Sequence, residues 1–333
     1  MAQCTPANIP KKLEAFFQEQ YAAITHNTNK LMLFACDQKI EHLNADFVPP
    51  IAHPDAQHPA HLFKIAQQGH IGAMAAHVGL ISRYAPEYPG INFIAKLNGR
   101  TPLLPSNKYD PLSAPLYTVQ DALTLRENGV AIRGIGLTCY LGGIYESQML
   151  EFAAQSVMQA HAHGLIAILW IYLRGQSITD DQDINLLSGA AGIANALGAD
   201  FVKLKPPKLK MPINPEQANN QTSTKEQNIT SNFSNPSNLS NLKDSQSSQE
   251  YNYLEYINQI KTIVTAAGNT GVIFSGQELQ TENTVLEVLR MQLQAGAAGC
   301  AIGRNIFQRS QHDAIAFTSA LSKLIYEKNY NQQ

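Results

Sequence analysis

The feature that most constrains the fold of this chain is a regular alternation of short apolar segments with longer amphipathic ones. The short segments have the length of strands, and helical periodicity lies between several of them. The predicted strands are Leu31–Asp37, Ala73–His77, Phe93–Asn98, Gly134–Tyr140, Ile166–Tyr172, Phe201–Lys205, Val272–Ser275 and Gly299–Gly303. The clearest predicted helices are Val119–Asn128, Ser147–His163, Leu186–Leu197, Tyr253–Ala267 and Thr284–Gln294. Eight strands with interposed helices predict an α/β fold, a closed (β/α)8 TIM barrel.

A chain of 333 residues is long enough for one large domain or two ordinary ones, and α/β barrels commonly fill this range as one unit. An open, doubly wound sheet is the alternative architecture. No glycine-rich dinucleotide-binding motif follows the first predicted strand, which weakens that alternative. We therefore predict a single domain over residues 1–333.

One segment, residues 211–250, does not belong to this alternation. It is dominated by Asn, Ser, Gln and Thr and nearly lacks aliphatic residues. Such a composition cannot bury enough apolar surface to offset the entropy of ordering the chain. The segment follows the sixth predicted strand, on the catalytic face of a barrel. We predict a flexible, neutral insertion, and a lid over the active site is the alternative.

Composition excludes several classes of partner. The formal charge of −2 gives no electrostatic basis for binding nucleic acid or an anionic membrane. The N-terminal residues lack a signal-like apolar stretch, and the chain has no apolar run of about 18 residues. We predict a cytoplasmic protein without a metal site, in which the cysteines are buried free thiols and two histidines cap a helix end. These residues are Cys4, Cys36, Cys139, Cys300, His161 and His163.

The sixth predicted strand carries two lysines at its end. A period of two places Lys203 and Lys205 on one face, with Val202 and Leu204 toward the helix layer. Burial lowers the pKa of a lysine amine, and a second ammonium two residues away acts in the same direction. A neutral amine can attack a carbonyl and form a Schiff base. The alternative is that both lysines reach solvent at the barrel mouth.

Three other strands end in polar side chains. In the fifth strand, Trp170, Tyr172 and Arg174 share a face. The Tyr172 phenol suits proton transfer, Trp170 suits exclusion of water or stacking on a substrate, and Arg174 suits anion binding. Core packing is the alternative for the aromatic pair. The first strand ends at Asp37, a candidate general base or iminium partner. The third strand ends in Lys96-Leu97-Asn98-Gly99 and again places polar groups on one face.

The loops after the last two strands have the composition of a phosphate site. Ser275 and Gly276 follow the seventh strand, and Gly303 and Arg304 follow the eighth. Barrels often bind phosphate with these two loops, using backbone N–H groups. Arg304 adds a positive charge at the same end of the barrel.

The segments CDQKIEHLNADF, HLFKIAQQGHIGAMAAHVGLI, IAKLNG, ILWIYLRG, GADFVKLKPP and GAAGCAIGRNIFQ extend from the first strand to the eighth. Together they resemble the archaeal/bacterial-type class I fructose-bisphosphate aldolases, in the group with the deoxyribose-phosphate aldolase-like barrels. The resemblance implies a metal-independent Schiff base on Lys203, with Asp37 and Tyr172 as acid/base groups. It also implies that Trp170 lies beside them, that Lys205 is a neighbouring cation, and that the substrate is a phosphorylated sugar. Relatives of this group are usually homo-oligomers, so we expect the same here.

The resemblance also implies that the substrate phosphate lies at Ser275, Gly276, Gly303 and Arg304. Gln277 stands where the family usually has glycine, a difference that concerns substrate affinity. The predicted reaction is reversible cleavage of fructose 1,6-bisphosphate to dihydroxyacetone phosphate and glyceraldehyde 3-phosphate. The alternatives are another lysine-dependent aldolase or transaldolase acting on a different phosphorylated sugar, and a non-catalytic sugar-phosphate-binding barrel.

Overall fold

The computed structural model describes residues 5–106, 108–209, 237–276 and 278–327. The barrel strands are β1 Leu31–Ala35, β2 Ala73–His77, β3 Phe93–Lys96, β4 Ile132–Leu141, β5 Ile166–Leu173, β6 Phe201–Leu204, β7 Gly271–Ser275 and β8 Gly299–Ile302. All neighbours pair in parallel, and β8 pairs with β1 to close the barrel. The predicted (β/α)8 barrel is confirmed.

Helices cover the outside of the barrel and one of its ends. They are α1 Glu14–Thr25, α2 Gln38–Glu41, α3 Ala60–Gln68, α4 Val78–Tyr84, α5 Val119–Glu127, α6 Glu146–Ala162, α7 Ile184–Ala196, α8 Ser237–Ala267, α9 Glu282–Gln294, α10 Arg304–Phe307 and α11 Gln311–Tyr326. Short 3-10 helices occur at Lys11–Leu13, Ala45–Phe47, Pro54–Gln57 and Ala85–Glu87. The five predicted helices are present, and α8 begins before the predicted Tyr253.

The first and third strands are shorter than predicted. β1 ends at Ala35, and Asp37 lies in the turn that begins α2. The segment Asn98–Gly99 leaves the barrel and pairs antiparallel with Ala114–Pro115. The side chain of Asn98 explains this departure, because it bonds both the N–H and the carbonyl oxygen of Thr138 in β4, at 2.7 and 2.8 Å. A side-chain bridge therefore replaces strand pairing at this point.

Strand alternation divides the core into two layers. Val202 and Leu204 pack outward under the helices, as predicted, whereas Phe201 packs inside the barrel. The interior also receives α1, whose Phe17 and Tyr21 close the barrel end where strands begin. As far as the described residues go, the opposite end, where the strands finish, is the one open to a ligand.

A buried hydrogen-bonded pair of polar side chains lies at the closed end. His161 Nε2 is 3.1 Å from Asp200 Oδ2, which also accepts the N–H of Ala167 at 2.8 Å. His163 caps the C-terminus of α6, as predicted, but His161 lies in the last helical turn and pairs with this carboxylate instead. Burying Asp200 requires such a partner, because an unpaired charge is costly in the core.

The described cysteines, Cys36, Cys139 and Cys300, are buried and free, as predicted. Cys4, Gln277 and residues 210–236 lie outside the described residues, so most of the predicted insertion does too. Within the described part of the chain, no helix has the length and apolar character needed to cross a membrane.

Candidate active site

A cavity of about 480 Å³ lies at the open end of the barrel. Nine of the ten predicted site residues line it. They are Asp37, Tyr172, Arg174, Lys203, Lys205, Ser275, Gly276, Gly303 and Arg304. The carboxyl ends of parallel strands meet at this rim, which is why residues so distant in sequence come together.

Lys203 projects from β6 toward this cavity and is only 5% exposed. Burial lowers the pKa of its amine, and the nearby Arg304 acts in the same direction, while Asp37 and Glu41 oppose them. The neutral, nucleophilic form is therefore more accessible than for a surface lysine.

Lys205, the predicted neighbouring cation, has a carboxylate partner of its own. Its Nζ donates to both carboxylate oxygens of Asp181, at 2.7 and 2.8 Å, on the rim of the cavity. This ion pair neutralises its charge. The cation that lowers the pKa of Lys203 is Arg304, contributed by the loop after β8.

Trp170 is the predicted residue that does not line the cavity. It is fully buried inside the barrel, and the Nζ of Lys203 is 5.6 Å from the centroid of its ring. The Nζ of Lys96 is 5.7 Å from the same ring. Gly136 leaves room for the indole, since a Cβ there would lie 2.4 Å from Trp170 Cζ3. The structure therefore places Trp170 beneath the lysines and outside the lining of the cavity.

Asp37 is a buried carboxyl next to two lysines. Burial alone would raise its pKa, but Lys203, Lys96 and His77 outweigh burial, so that the net pKa is lowered. Asp37 is therefore ionised at neutral pH. An anion in this position stabilises positive charge on Lys203 or on an iminium formed from it.

Tyr172 lies near the end of β5, and Arg174 follows the strand directly. Burial raises the pKa of the Tyr172 phenol, and the charges of Asp37 and Glu41 raise it further. The phenol therefore keeps its proton at neutral pH and is a proton donor. The exposed Arg174 guanidinium lies 5.9 Å from the Tyr172 ring centroid and 5.7 Å from that of Tyr140.

The loops after β7 and β8 are joined by one buried amide. Asn305 Nδ2 donates to the carbonyl oxygens of Gly276 and Glu278, at 2.6 and 2.9 Å. Its Oδ1 accepts the N–H of Gln280 at 2.7 Å. These bonds fix the loop that carries Gly276 beside Arg304, as the predicted phosphate site requires.

The family model of the DeoC/LacD family aldolases matches residues 31–309, from the first strand of the barrel to the helix after the last. The chain belongs to the DeoC/LacD aldolase family.

Individual aldolases resemble the whole chain. A relative from Methanocaldococcus jannaschii, named fructose-bisphosphate aldolase/6-deoxy-5-ketofructose 1-phosphate synthase, is 36% identical over 324 residues, which are 97% of this chain and 90% of the relative. The solved fructose-bisphosphate aldolase from Slackia heliotrinireducens DSM 20476 is 37% identical, with a TM-score of 0.81 over 97% of this chain and 89% of that one. An archaeal fructose-1,6-bisphosphate aldolase, solved with its catalytic Lys bound to the carbinolamine intermediate of the substrate, is 25% identical, with a TM-score of 0.70 over 93% and 100%.

Sequence reasoning gave no role to several polar groups in the site of this DeoC/LacD aldolase. Lys96 is fully buried and donates to the Asn98 carbonyl oxygen at 2.8 Å and to its Oδ1 at 3.2 Å. Burial lowers the pKa of Lys96, which Glu41 and Asp37 partly offset. Burial and Lys96 together lower the pKa of His77 to about 4. The aldolase thus contains a second buried amine beneath its cavity.

Glu41 is the other group that sequence reasoning left without a role. Its Oε2 accepts the hydroxyl of Tyr140 at 3.1 Å, and its Oε1 lies 3.8 Å from Lys96 Nζ. Both Glu41 and Tyr140 line the cavity. The sequence signals were the short spacing from Asp37 to Glu41 and the period of two that places Thr138 and Tyr140 on the inner face of β4.

Proposed function

We propose that this aldolase is a class I fructose-bisphosphate aldolase. It cleaves fructose 1,6-bisphosphate reversibly to dihydroxyacetone phosphate and glyceraldehyde 3-phosphate. The observation that carries the proposal is a buried, cavity-facing Lys203 whose pKa is lowered, beside the carboxylate of Asp37. The archaeal relative in which the catalytic Lys holds a carbinolamine supports the same chemistry.

The reaction begins at the amine. Neutral Lys203 adds to the C2 carbonyl of the open-chain ketose, and the carbinolamine loses water to give a protonated imine. The anionic Asp37 stabilises this positive charge in a buried setting, where electrostatic interactions are stronger than in water. Because the iminium polarises the substrate itself, no step is assigned to a metal ion.

Cleavage then moves electrons into the imine. The C4 hydroxyl loses its proton, the C3–C4 bond breaks, and its electron pair forms an enamine as glyceraldehyde 3-phosphate leaves. Asp37 is the ionised group that accepts protons, and Tyr172 is the protonated phenol that hands them on. Protonation of the enamine at C3 and hydrolysis release dihydroxyacetone phosphate and restore Lys203.

The ends of the cavity suit the two phosphates. The loops with Ser275, Gly276, Gly303 and Arg304 offer backbone N–H groups and a cation near Lys203. Across the mouth, Arg174 offers a second guanidinium. A ketose linked through C2 to Lys203 would extend between these two ends. These residue roles stay predictions, as do a homo-oligomeric assembly and a cytoplasmic location.

The decisive experiment traps the imine. The protein is incubated with dihydroxyacetone phosphate and EDTA, reduced with borohydride, and mapped by mass spectrometry. We expect one adduct on Lys203, loss of the adduct in Lys203→Met, and its retention in Lys205→Met, the matched control on the rim. An adduct on Lys205 would keep the reaction class but change the nucleophile. Folded protein that forms no adduct would refute the imine mechanism.

A further inference from the structure

A second, smaller cavity of about 250 Å³ adjoins the main one at the rim. Glu41, Tyr140 and Arg174 line both cavities, so they form the wall between them. Arg100 lines the smaller cavity, and its guanidinium lies 6.0 Å from the Tyr140 ring centroid. Two guanidinium groups therefore stand close to a carboxylate in this wall.

The Glu41 carboxylate is only partly satisfied. Its Oε2 accepts the Tyr140 hydroxyl at 3.1 Å, whereas its Oε1 is buried and has no hydrogen-bond partner among the described residues. Lys96 Nζ, at 3.8 Å, is too far for a hydrogen bond. Burial raises the pKa of Glu41, and the positive charge of Lys96 offsets this only in part. The side chain is 13% exposed, so solvent reaches it little. A buried, unpaired carboxylate oxygen costs free energy that a donor from a ligand would recover.

The position of Glu41 identifies the part of the substrate that it meets. The phosphate loops after β7 and β8 lie on one side of Lys203. Tyr140, near the end of β4, and Arg174, just after β5, lie on the other. Under the proposed function, carbons C4 to C6 extend toward this second side. A carboxylate repels a phosphate but accepts a hydroxyl, so the C6 phosphate belongs beside the guanidinium groups and a hydroxyl beside Glu41. The C4 oxygen is engaged in proton transfer near Lys203, which leaves the C5 hydroxyl.

We propose that Glu41 Oε1 accepts a hydrogen bond from the C5 hydroxyl of the ketose, which is the 2-hydroxyl of the aldehyde half. This inference rests on the proposed function and adds a specificity-determining residue to it. A site built to bond a hydroxyl discriminates against the analogue that lacks it, because the partner in the site is then left unpaired. Glu41 thus selects 2-hydroxyaldehydes as partners of dihydroxyacetone phosphate.

The test compares two aldehydes that differ by one hydroxyl. Aldol synthesis from dihydroxyacetone phosphate is measured with glyceraldehyde 3-phosphate and with 3-phosphooxypropanal, its 2-deoxy analogue. We expect the wild type to prefer the hydroxyaldehyde in kcat/KM by about tenfold or more, as for a hydrogen bond to a charged group. Glu41→Gln keeps the shape and lowers this ratio about threefold, because bonds to charged acceptors are about twice as strong as neutral ones. Glu41→Leu brings the ratio to about one.

Two controls separate this inference from the proposed function. Glu151→Gln makes the same change on the exposed face of α6 and leaves the ratio unaltered. Dihydroxyacetone phosphate lacks the aldehyde half, so borohydride trapping on Lys203 persists in Glu41→Gln. If the kcat/KM ratio of the two aldehydes is unaltered in both Glu41→Gln and Glu41→Leu, Glu41 does not have this role. The same holds if the wild type forms the borohydride adduct with dihydroxyacetone phosphate but uses both aldehydes equally well. A wild type that forms no adduct would instead reject the proposed function.

Discussion

Replacing Gly303 with alanine tests whether the phosphate loop and the strand that leads to Asp37 depend on close backbone contact. A Cβ at Gly303 would lie 2.4 Å from the carbonyl oxygen of Ala35 and 2.4 Å from Gln38 Nε2. Ordinary contact between such atoms needs about 1 Å more. Ala35 is the last residue of β1 and Gln38 begins α2, so the displaced atoms flank Asp37 in the chain.

The expected effect of Gly303→Ala follows from that displacement. A misplacement of about 1 Å in a catalytic arrangement lowers the rate about 100-fold, so we expect kcat/KM for fructose 1,6-bisphosphate cleavage to fall by that order. Inserting a methyl group into a packed site also costs about 1–3 kcal/mol of the free energy of unfolding. Coupled detection of the triose phosphates gives the first quantity, and urea denaturation gives the second.

Gly189→Ala is the matched control for this prediction. Gly189 lies within α7, and a Cβ there would meet nothing within 4 Å. Alanine in a helix interior stabilises by about 0.5–1 kcal/mol relative to glycine, so this variant should gain stability and keep its kcat/KM. Wild-type activity in Gly303→Ala, measured beside this control, would refute the argument from close contact.

Three further changes probe other parts of the site. Lys96→Met removes a cation that lowers the pKa of Asp37, so that pKa should rise. The acid limb of the plot of kcat/KM against pH should then move to higher pH, and a limb at the same pH would contradict this prediction. Tyr172→Phe should lower kcat by about 100-fold or more while borohydride still traps dihydroxyacetone phosphate, and loss of both would point to misfolding. Asp181→Ala breaks the half-exposed ion pair with Lys205 and should change the free energy of unfolding by less than about 1 kcal/mol, measured in urea.

The fold could be predicted because the strands are short and apolar and have helices between them. The period of two also placed Val202 and Leu204 outward and Lys203 inward, as the structure confirms. The ends of strands were less predictable. Asn98 continues the polar pattern of the third strand, yet its side chain bonds the backbone of Thr138 and turns the chain away. Such a bond depends on a neighbouring strand, which local sequence does not specify.

The candidate site could be predicted only where motif and strand end coincide. The partners of Lys205 and Glu41 were missed because residues distant in the sequence meet only in the folded barrel. Glu41 and Tyr140 lie 99 positions apart in the sequence and meet across the barrel mouth. Asp181, the partner of Lys205, belongs to the loop after β5, whose path cannot be read from its composition. Lys96 was visible as a polar strand end, but only the structure places it beneath the cavity.

The indole of Trp170 has a consequence for how barrels of this kind diverge. One rigid ring lies under both buried amines, and it stands on a strand and not on a loop. Glu41, the proposed partner of the far end of the substrate, lies in the short helix at the rim. The predicted nucleophile and the ring beneath it therefore lie on strands, whereas the residue proposed to select the aldehyde lies in a helix at the rim. In a related barrel, substitution of residues at the rim can therefore change the substrate while the lysine on its strand keeps the same covalent chemistry.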